Sequence, residues 1–265
     1  MRPIGELGVA AARRIGALLT DIDDTITTDG RLSGASYDAL ERLHDNGLFV
    51  IPITGRPAGW CDLIARFWPV DGVVGENGAL YFRYDHAERT MRRWYAAPQA
   101  EREKNRRKLD AIRNEVLEKV PGAAVAADQA FRVADLAIDF REDVAPLDDR
   151  AIKTIVSIFN AHGAQAKISS IHVNGWFGQY DKLTTSLKML NDEFVISSAA
   201  ARDRVLFVGD SPNDEPMFRY FPLSVGVANV RDAAHLMTAK PAFVTAKKSG
   251  AGFVELADRL LALRG

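Results

Sequence analysis

The chain has 265 residues, 47% of them hydrophobic, which is enough for one large domain or two small ones with substantial cores. Its net charge is −1 and both signs are interspersed, so no basic surface is implied and nucleic acid is not an expected partner. The single cysteine, Cys61, cannot form an internal disulfide, and no stretch approaches ~18 uninterrupted apolar residues, which argues against a membrane span.

The N-terminal segment superficially resembles a twin-arginine export signal, because Arg13-Arg14 precedes an apolar run from Ile15 to Leu19. Asp21 soon interrupts that run, and no small-residue cleavage site follows. We therefore expect a cytoplasmic protein with no membrane partner. The sequence leaves the oligomeric state open.

Three carboxylates follow the apolar run at its end: Asp21, Asp23 and Asp24. Like charges this close repel one another, so such a cluster usually persists by holding a divalent cation or by reacting with an electrophile. Side chains alternate along a strand, so Asp21 and Asp23 would point to one side, whereas Asp24 would point away or begin a turn. An acidic loop or a helix cap is the alternative interpretation of this segment alone.

Helices and a strand come next in the chain. Ser33 can cap a helix that ends at Gly47, and an apolar strand from Phe49 to Ile53 leads into Thr54-Gly55-Arg56. Pro57 opens a second helix. We expect three apolar side chains of this helix to contact the core: Ile64, Phe67 and Trp68.

The middle of the chain, residues 84–178, has a different pattern. It predicts a strand at Thr90–Tyr95, a helix at Glu101–Lys119, a strand at Phe131–Phe140, a helix at Asp148–His162, and two strands within Gln165–Phe177. Strands paired around helices in this way suggest an α+β unit with an open sheet.

Strands and helices alternate again in the last third. The predicted strands are Val205–Val208, Leu223–Val227 and Ala242–Thr245, and helical segments lie around Glu215–Tyr220 and Ala233–Thr238. Such alternation indicates a parallel sheet. Parallel sheets bind ligands at the carboxyl ends of their strands, so the polar residues at those ends can converge on one crevice.

The order and identity of these polar segments resemble the haloacid dehalogenase superfamily of aspartate-nucleophile phosphatases and phosphomutases. Its four motifs are D-x-D-x-[TV], a strand ending in Ser or Thr, a basic residue, and G-D-x-x-N-D. The chain matches them in order with Asp21, Asp23 and Thr25, then Thr54, then Lys182, then Gly209, Asp210, Asn213 and Asp214. One motif alone is weak, but all four in order are a strong signal. The resemblance spans residues 15 to about 250.

The resemblance implies a reaction and a cofactor. Asp21 would be the nucleophile that attacks phosphorus to give an aspartyl phosphate. Asp23 would be the acid and base that protonates the leaving alcohol and then activates water. A carboxylate repels a phosphate dianion, so Mg²⁺ would cancel this repulsion, held by Asp21, Asp210 and the backbone carbonyl of Asp23.

Further matching residues would bind phosphate or support the metal. Thr54 and Lys182 would hold the phosphoryl oxygens, with the rest of Thr54-Gly55-Arg56 beside them. Asp214 and Asn213 would order the waters of the metal or reach the phosphate. Asp24 stands where this branch most often has Gly, and we expect it to be structural.

The place of the middle segment between the second and third motifs resembles the C2 cap, and its two helices resemble subgroup IIB. That subgroup includes phosphatases of sucrose phosphate and trehalose phosphate, and phosphomannomutases. The implied fold is α/β: a Rossmann-like parallel-sheet core at residues 1–83 and 179–265, with an inserted α+β cap of the C2B type at residues 84–178.

A cap of this kind closes over the core and recognises the leaving alcohol. The candidates lie on the last predicted cap strands: Ser169, Ser170, His172, Asn174 and Trp176. Asn and His can hydrogen-bond hydroxyls, and aromatic faces stack on sugar rings. Packing in the core or hinge is an equal alternative for Trp176, and an ordinary strand position is the alternative for His172.

Three functions remain open. The leading one is a Mg²⁺-dependent phosphatase whose partner is a small phosphorylated metabolite such as a sugar phosphate. A phosphomannomutase-like phosphosugar mutase would use the same aspartyl phosphate but return the phosphoryl group to a sugar. A non-enzymatic, receiver-like phospho-acceptor domain also uses clustered Asp, Thr and Lys with Mg²⁺, but Asp23 and the inserted cap disfavour it.

Overall fold

The computed structural model describes residues 1–265 as alternating strands and helices. The strands are β1 (Arg2–Pro3), β2 (Ala17–Thr20), β3 (Thr27–Thr28), β4 (Arg31–Leu32), β5 (Phe49–Pro52), β6 (Val73–Gly75), β7 (Leu80–Asp85), β8 (Thr90–Tyr95), β9 (Ala124–Val125), β10 (Leu136–Asp139), β11 (Gln165–Ile168), β12 (His172–Trp176), β13 (Val205–Gly209), β14 (Ser224–Gly226) and β15 (Phe243–Val244). The α-helices are α1 (Val9–Arg14), α2 (Gly34–Asp45), α3 (Ala58–Phe67), α4 (Gln99–Lys119), α5 (Asp149–Ala161), α6 (Lys182–Phe194), α7 (Ser198–Arg204), α8 (Glu215–Tyr220) and α9 (Ser249–Arg264). No helix combines the length and the apolar character needed to cross a lipid bilayer.

A parallel sheet in the order β1-β15-β14-β13-β2-β5 forms the core, which confirms the predicted α/β class. In its register, Thr20 of β2 pairs with Val208 of β13 on one side and with Pro52 of β5 on the other. The carboxyl ends of these three strands are therefore level with one another.

Each face of the core sheet is covered by helices. Leu18 packs with residues of α2, α3 and α9, whereas Ala17 and Leu19 pack with residues of α6, α7 and α8. Successive side chains of a strand point to opposite faces, so the continuous apolar run of β2 serves both layers.

A small antiparallel sheet, β6-β7-β8, extends the core beyond β5 through a single bridge between Ile53 and Val74. The domain boundary predicted at residue 84 falls inside β7. The first element of the inserted unit, α4, begins later, at Gln99.

The inserted unit is a four-stranded antiparallel sheet in the order β11-β12-β10-β9, covered by α4 and α5. It has a core of its own, to which Leu109, Ile138, Phe159 and Val173 contribute. Asp148 caps α5 as an N-terminal acceptor, and Gly163 follows the helix with a φ of 74°. The predicted α+β cap is therefore present.

Three local predictions differ from the structure. Residues Ala127–Phe131 form a 3₁₀ turn, and the strand predicted from residue 131 begins only at Leu136. The predicted helix around residues 233–238 is a single 3₁₀ turn, Ala234–Leu236. Phe67 is 74% exposed, so its predicted core contact is wrong: it is the last residue of α3 and its side chain faces solvent, whereas Ile64 of the same turn is buried.

Candidate active site

The carboxyl ends of three neighbouring strands meet at one edge of the core sheet. Asp21 follows β2, Thr54 lies just beyond β5, and Asp210 follows β13. Because β13, β2 and β5 are adjacent and level, the structure brings these separately predicted residues together.

Lys182 reaches the same edge from the first turn of α6. Its Nζ donates to Asp21 Oδ1 at 2.6 Å and to Asp214 Oδ1 at 3.1 Å, and all three side chains are buried. Asp181 holds the start of α6 in place, because its side chain accepts from the backbone N–H of Thr184 at 2.7 Å. The helix cap thus positions the lysine.

Three buried carboxylates, those of Asp21, Asp210 and Asp214, lie together here, and the ammonium group of Lys182 contacts two of them, Asp21 and Asp214. Burial raises the pKa of Asp21 to about 8, although Lys182 acts in the opposite direction. Burial also raises the pKa of Asp210 well above its ordinary value. Burial would lower the pKa of Lys182, but the carboxylates of Asp21 and Asp214 outweigh it and raise that pKa. The cluster carries more negative charge than its own residues neutralise.

This donor set fits a hard divalent cation. Carboxylate oxygens of Asp21, Asp210 and Asp214 lie within 4.8 Å of one another. Mg²⁺ prefers oxygen ligands and would balance the excess charge. Both carboxylate oxygens of Asp214 already accept hydrogen bonds: Oδ2 from the backbone N–H of Asp210 at 3.0 Å, and Oδ1 from Lys182. Asp21 and Asp210 are therefore best placed to hold the cation directly.

Neighbouring residues orient Asp210. Thr25 Oγ1 donates to its Oδ1 at 3.4 Å, and Asn229 Nδ2 donates to its Oδ2 at 3.1 Å. Gly209 has no side chain because a Cβ at this position would collide with the carboxylate of Asp214. Sequence reasoning missed Asn229, which lies in a 3₁₀ turn after β14 with no motif around it.

Asp23 lines the same cavity as Asp21 but has charged partners of its own. Its side chain pairs with Arg56, whose Nη2 donates to Asp23 Oδ1 at 2.9 Å. The same Nη2 also donates to Glu142 Oε1 of the cap at 2.8 Å, and His172 Nε2 lies 2.9 Å from Glu142 Oε2. The proximity of His172, together with Arg56, lowers the pKa of Glu142 to about 2. The backbone carbonyl of Asp23 is thus the group of this residue left to reach a cation.

The other residues of Thr54-Gly55-Arg56 contact backbone groups and the cap. Thr54 Oγ1 is buried and accepts from the backbone N–H of Arg56 at 2.9 Å. The carbonyl of Gly55 accepts from Arg132 of the cap at 2.8 Å. Gly55 also lies against the side chain of Asn77. The backbone of Asn77 has a φ of 56°, and its side-chain Nδ2 is buried without a hydrogen-bond partner. Asn77 was missed from the sequence, although its Asn-Gly pair marks a turn at a strand end.

A polar cavity of about 20 Å³ separates the core from the cap strands. Its core lining comprises Asp21, Asp23, Gly55, Arg56, Asn77, Lys182, Asp210, Ser211 and Asn213, and its cap lining comprises Arg132, Ser169, Ser170, Ile171, His172 and Asn174. Thr54 and Asp214 lie outside this lining. One water molecule needs roughly 10–15 Å³, so the closed arrangement has room for about one water beside Asp21.

The predicted cap residues occupy two different environments. Ser170 lies beside the carboxyl of Asp24, and Asn174 Nδ2 donates to Asp135 Oδ2 at 3.0 Å. Trp176 is only 1% exposed, stacks on Tyr180 at a centroid distance of 5.8 Å, and does not line the polar cavity, although it lines a neighbouring one with Asn77 and Lys182. For Trp176 the structure therefore shows the packing alternative and not a sugar platform.

Asp24 has a structural setting, as its φ of 57° lies in the left-handed region that favours Gly. Its backbone carbonyl accepts from Asn229 at 3.0 Å. Burial raises the pKa of its carboxyl, although the nearby Ser170 acts in the opposite direction. Asp24 thereby links the nucleophile loop to the cap.

Glu76 joins core and cap at the opposite end of the site. Its carboxylate accepts backbone N–H groups of Val133, Ala134 and Asp135 in the cap at 2.8, 2.7 and 3.2 Å, and that of Ala58 in the core at 2.9 Å. Burial raises the pKa of Glu76 to about 7, although these backbone donors act in the opposite direction. Sequence reasoning missed this residue because its partners lie far along the chain.

Comparison with known families agrees with this geometry. Residues 18–104 match the family model of haloacid dehalogenase-like hydrolases. Among curated proteins, none has a sequence that matches the chain significantly.

Solved structures share the fold over nearly the whole chain. A Thermoplasma acidophilum protein is 18% identical, with a TM-score of 0.71, and 93% of this chain and 98% of that one are covered. A trehalose-6-phosphate phosphatase related protein is 14% identical, with a TM-score of 0.61 and coverages of 94% and 96%. A phosphatase of the haloalkanoate (HAD) enzyme superfamily from Bacteroides thetaiotaomicron is 21% identical, with a TM-score of 0.58 and coverages of 94% and 94%.

Proposed function

Because residues 18–104 match the family model of haloacid dehalogenase-like hydrolases, we propose that the chain is a Mg²⁺-dependent phosphatase of small phosphorylated metabolites, among them sugar phosphates. The observation that carries the proposal is the contact of Lys182 with Asp21 at 2.6 Å inside a cluster of three buried carboxylates. Asp23 stands two residues from Asp21, at the mouth of the same cavity.

Asp21 acts as the nucleophile in this proposal. Lys182 donates to its Oδ1, which leaves Oδ2 to attack phosphorus. The attack forms a bond between Oδ2 and phosphorus and breaks the bond from phosphorus to the leaving alcohol, which gives an aspartyl phosphate. Bound Mg²⁺, held by Asp21 and Asp210, supplies the positive charge that allows a carboxylate to approach a phosphate dianion.

Asp23 provides the acid and base. It donates a proton to the leaving oxygen and later takes a proton from the water that hydrolyses the aspartyl phosphate. Arg56 holds the carboxylate of Asp23 in place through hydrogen bonds from Nη2 and Nε. The free amide of Asn77 and the ammonium of Lys182 are available to the phosphoryl oxygens.

Recognition of the substrate is proposed for the cap. Ser170, His172 and Asn174 present hydroxyl, imidazole and amide groups to the cavity that holds Asp21, and these groups pair with the hydroxyls of a sugar. The cavity is too small for a hexose in the closed arrangement, so the cap moves away to admit substrate.

The experiment is a screen of the purified protein against phosphorylated sugars, polyols and nucleotides with Mg²⁺, in which inorganic phosphate is measured. Release of phosphate that EDTA abolishes supports the proposal. Isomerised sugar phosphate without release of phosphate would assign a mutase instead. A stable phosphoprotein with neither product would assign a phospho-acceptor domain.

A further inference from the structure

A second cavity, of about 420 Å³, shares Asp23 and Arg56 with the polar cavity. Most of its wall is apolar and comes from α3, the loop after β2, and the cap. We call it the apolar chamber and define it by Ile22, Leu32, Trp60, Leu63, Trp68 and Phe131.

The apolar chamber exposes large side chains to water. Trp60 is 42% exposed, Leu63 is 54% exposed and Phe131 is 58% exposed. Grouped apolar surface of this kind marks a binding site more often than chance exposure does. Core and cap build it jointly, since Gly59 of α3 has room for no side chain against Phe131, whose Cβ lies 2.9 Å from where a Cβ of Gly59 would be.

The chamber is tied to the charged residues of the active site. The guanidinium of Arg56 lies over the ring of Trp60 at 4.5 Å, and Arg56 in turn holds Asp23. Charged and apolar parts of the site therefore meet at the proposed acid.

In the closed arrangement, the sizes of the two cavities decide where the leaving alcohol lies. The polar cavity of about 20 Å³ has room for about one water, whereas sites for small molecules usually measure ~300–1,000 Å³. In-line attack by Asp21 puts the leaving oxygen beside Asp23, so the rest of the alcohol extends past Asp23. The apolar chamber, of about 420 Å³, provides that space.

We propose that the apolar chamber is the subsite for the leaving alcohol, and that preferred substrates are phosphate monoesters whose alcohol carries an aryl or alkyl body. This inference rests on the proposed phosphatase function and narrows its substrate class. A sugar phosphate with an apolar substituent fits, and a bare hexose phosphate leaves the chamber empty.

The test compares ethyl phosphate with 3-phenylpropyl phosphate in the presence of Mg²⁺, because the two alcohols are similarly poor leaving groups. Burial of the phenyl group raises kcat/KM at least about tenfold. Leu63→Ala and Phe131→Ala lower the ratio of the two kcat/KM values several-fold. Phe67→Ala, an exposed residue of the same helix outside the chamber, keeps the ratio. The proposal is overturned if the wild-type kcat/KM values for the two esters are about equal. It is also overturned if Leu63→Ala and Phe131→Ala both leave the ratio of these values unchanged.

A binding measurement separates this inference from the phosphatase function. The probes are ethylphosphonate and 3-phenylpropylphosphonate, which cannot be hydrolysed, titrated calorimetrically into the Mg²⁺-loaded protein. Preferential binding of the phenylpropyl probe, lost in Leu63→Ala, supports the chamber even if no ester is hydrolysed. Phosphatase activity without that preference overturns the chamber and leaves the function. Dimerisation of the wild type that Leu63→Ala abolishes, without probe preference, would assign the surface to a second copy of the chain.

Discussion

One edge of the Arg56 guanidinium binds Asp23, with Nη2 2.9 Å and Nε 3.1 Å from Asp23 Oδ1. The other edge of the guanidinium binds Glu142 of the cap, at 2.8 and 3.2 Å. A planar guanidinium suits two carboxylates at once. Arg56 therefore connects the proposed acid, Asp23, to Glu142 of the cap.

Asp21→Asn should abolish phosphate release, by at least about 10³-fold, while the fold remains intact. An amide of the same shape cannot attack phosphorus and binds Mg²⁺ poorly. Phosphate release and circular dichroism are the measurements. Asp203→Asn, at an exposed position of α7, is the matched control and should keep full activity. Turnover near the wild-type rate in Asp21→Asn would rule out the nucleophile.

Asp23→Asn should slow turnover severely and trap a phosphorylated enzyme when p-nitrophenyl phosphate is the substrate. An activated leaving group needs little protonation, but hydrolysis of the aspartyl phosphate still needs a base. Intact mass spectrometry detects the added phosphoryl group. The double variant Asp21→Asn/Asp23→Asn should show none. Failure to trap any phosphoenzyme would remove the acid–base role of Asp23 only.

Mg²⁺ should raise the melting temperature by about 5–10 °C when its concentration is ~100 times its Kd, and EDTA should reverse the rise. The reason is the surplus charge of three buried carboxylates beside one lysine. Differential scanning fluorimetry at constant ionic strength measures the shift. Asp210→Asn should lose most of it. A shift of the same size in Asp210→Asn would place the cation elsewhere.

His172→Ala and Asn174→Ala should impair turnover of the preferred substrate more than that of p-nitrophenyl phosphate. One lost hydrogen bond to a remote part of the substrate is worth roughly 1–3 kcal/mol, or about 5- to 150-fold in kcat/KM. Trp176→Ala is the structural comparison, because Trp176 packs on Tyr180 and its loss should destabilise the protein by ~3–5 kcal/mol. If His172→Ala and Asn174→Ala lower kcat/KM equally for both substrates, these two residues also have a structural role and do not recognise the substrate.

Glu76→Gln should destabilise the closed arrangement by roughly 1–3 kcal/mol. The carboxylate accepts four backbone N–H groups, and an amide nitrogen in its place would face donors with another donor. Urea unfolding is the measurement. Glu118→Gln on the exposed face of α4 is the control and should change stability little. A stability change in Glu76→Gln no larger than in this control would show that Glu76 does not stabilise the contact between core and cap.

Local pattern alone was enough to predict the core and the acidic half of the site. Asp21, Thr54 and Asp210 each follow an apolar run, and parallel strands that lie side by side end at the same edge. The spacing within each motif is short, so the four motifs could be recognised without coordinates, and their resemblance to the haloacid dehalogenase superfamily supplied the roles expected of their residues.

Contacts between core and cap were decided by the tertiary structure. Arg56 and Glu142 are 86 positions apart, and Glu76 and Asp135 are 59 apart, so no periodicity relates them. The same holds for the buried position of Trp176, the free amide of Asn77, and the apolar chamber that Phe131 completes. Docking of two separately packed units brings these groups together, and the shape of that interface depends on side chains from distant segments at once.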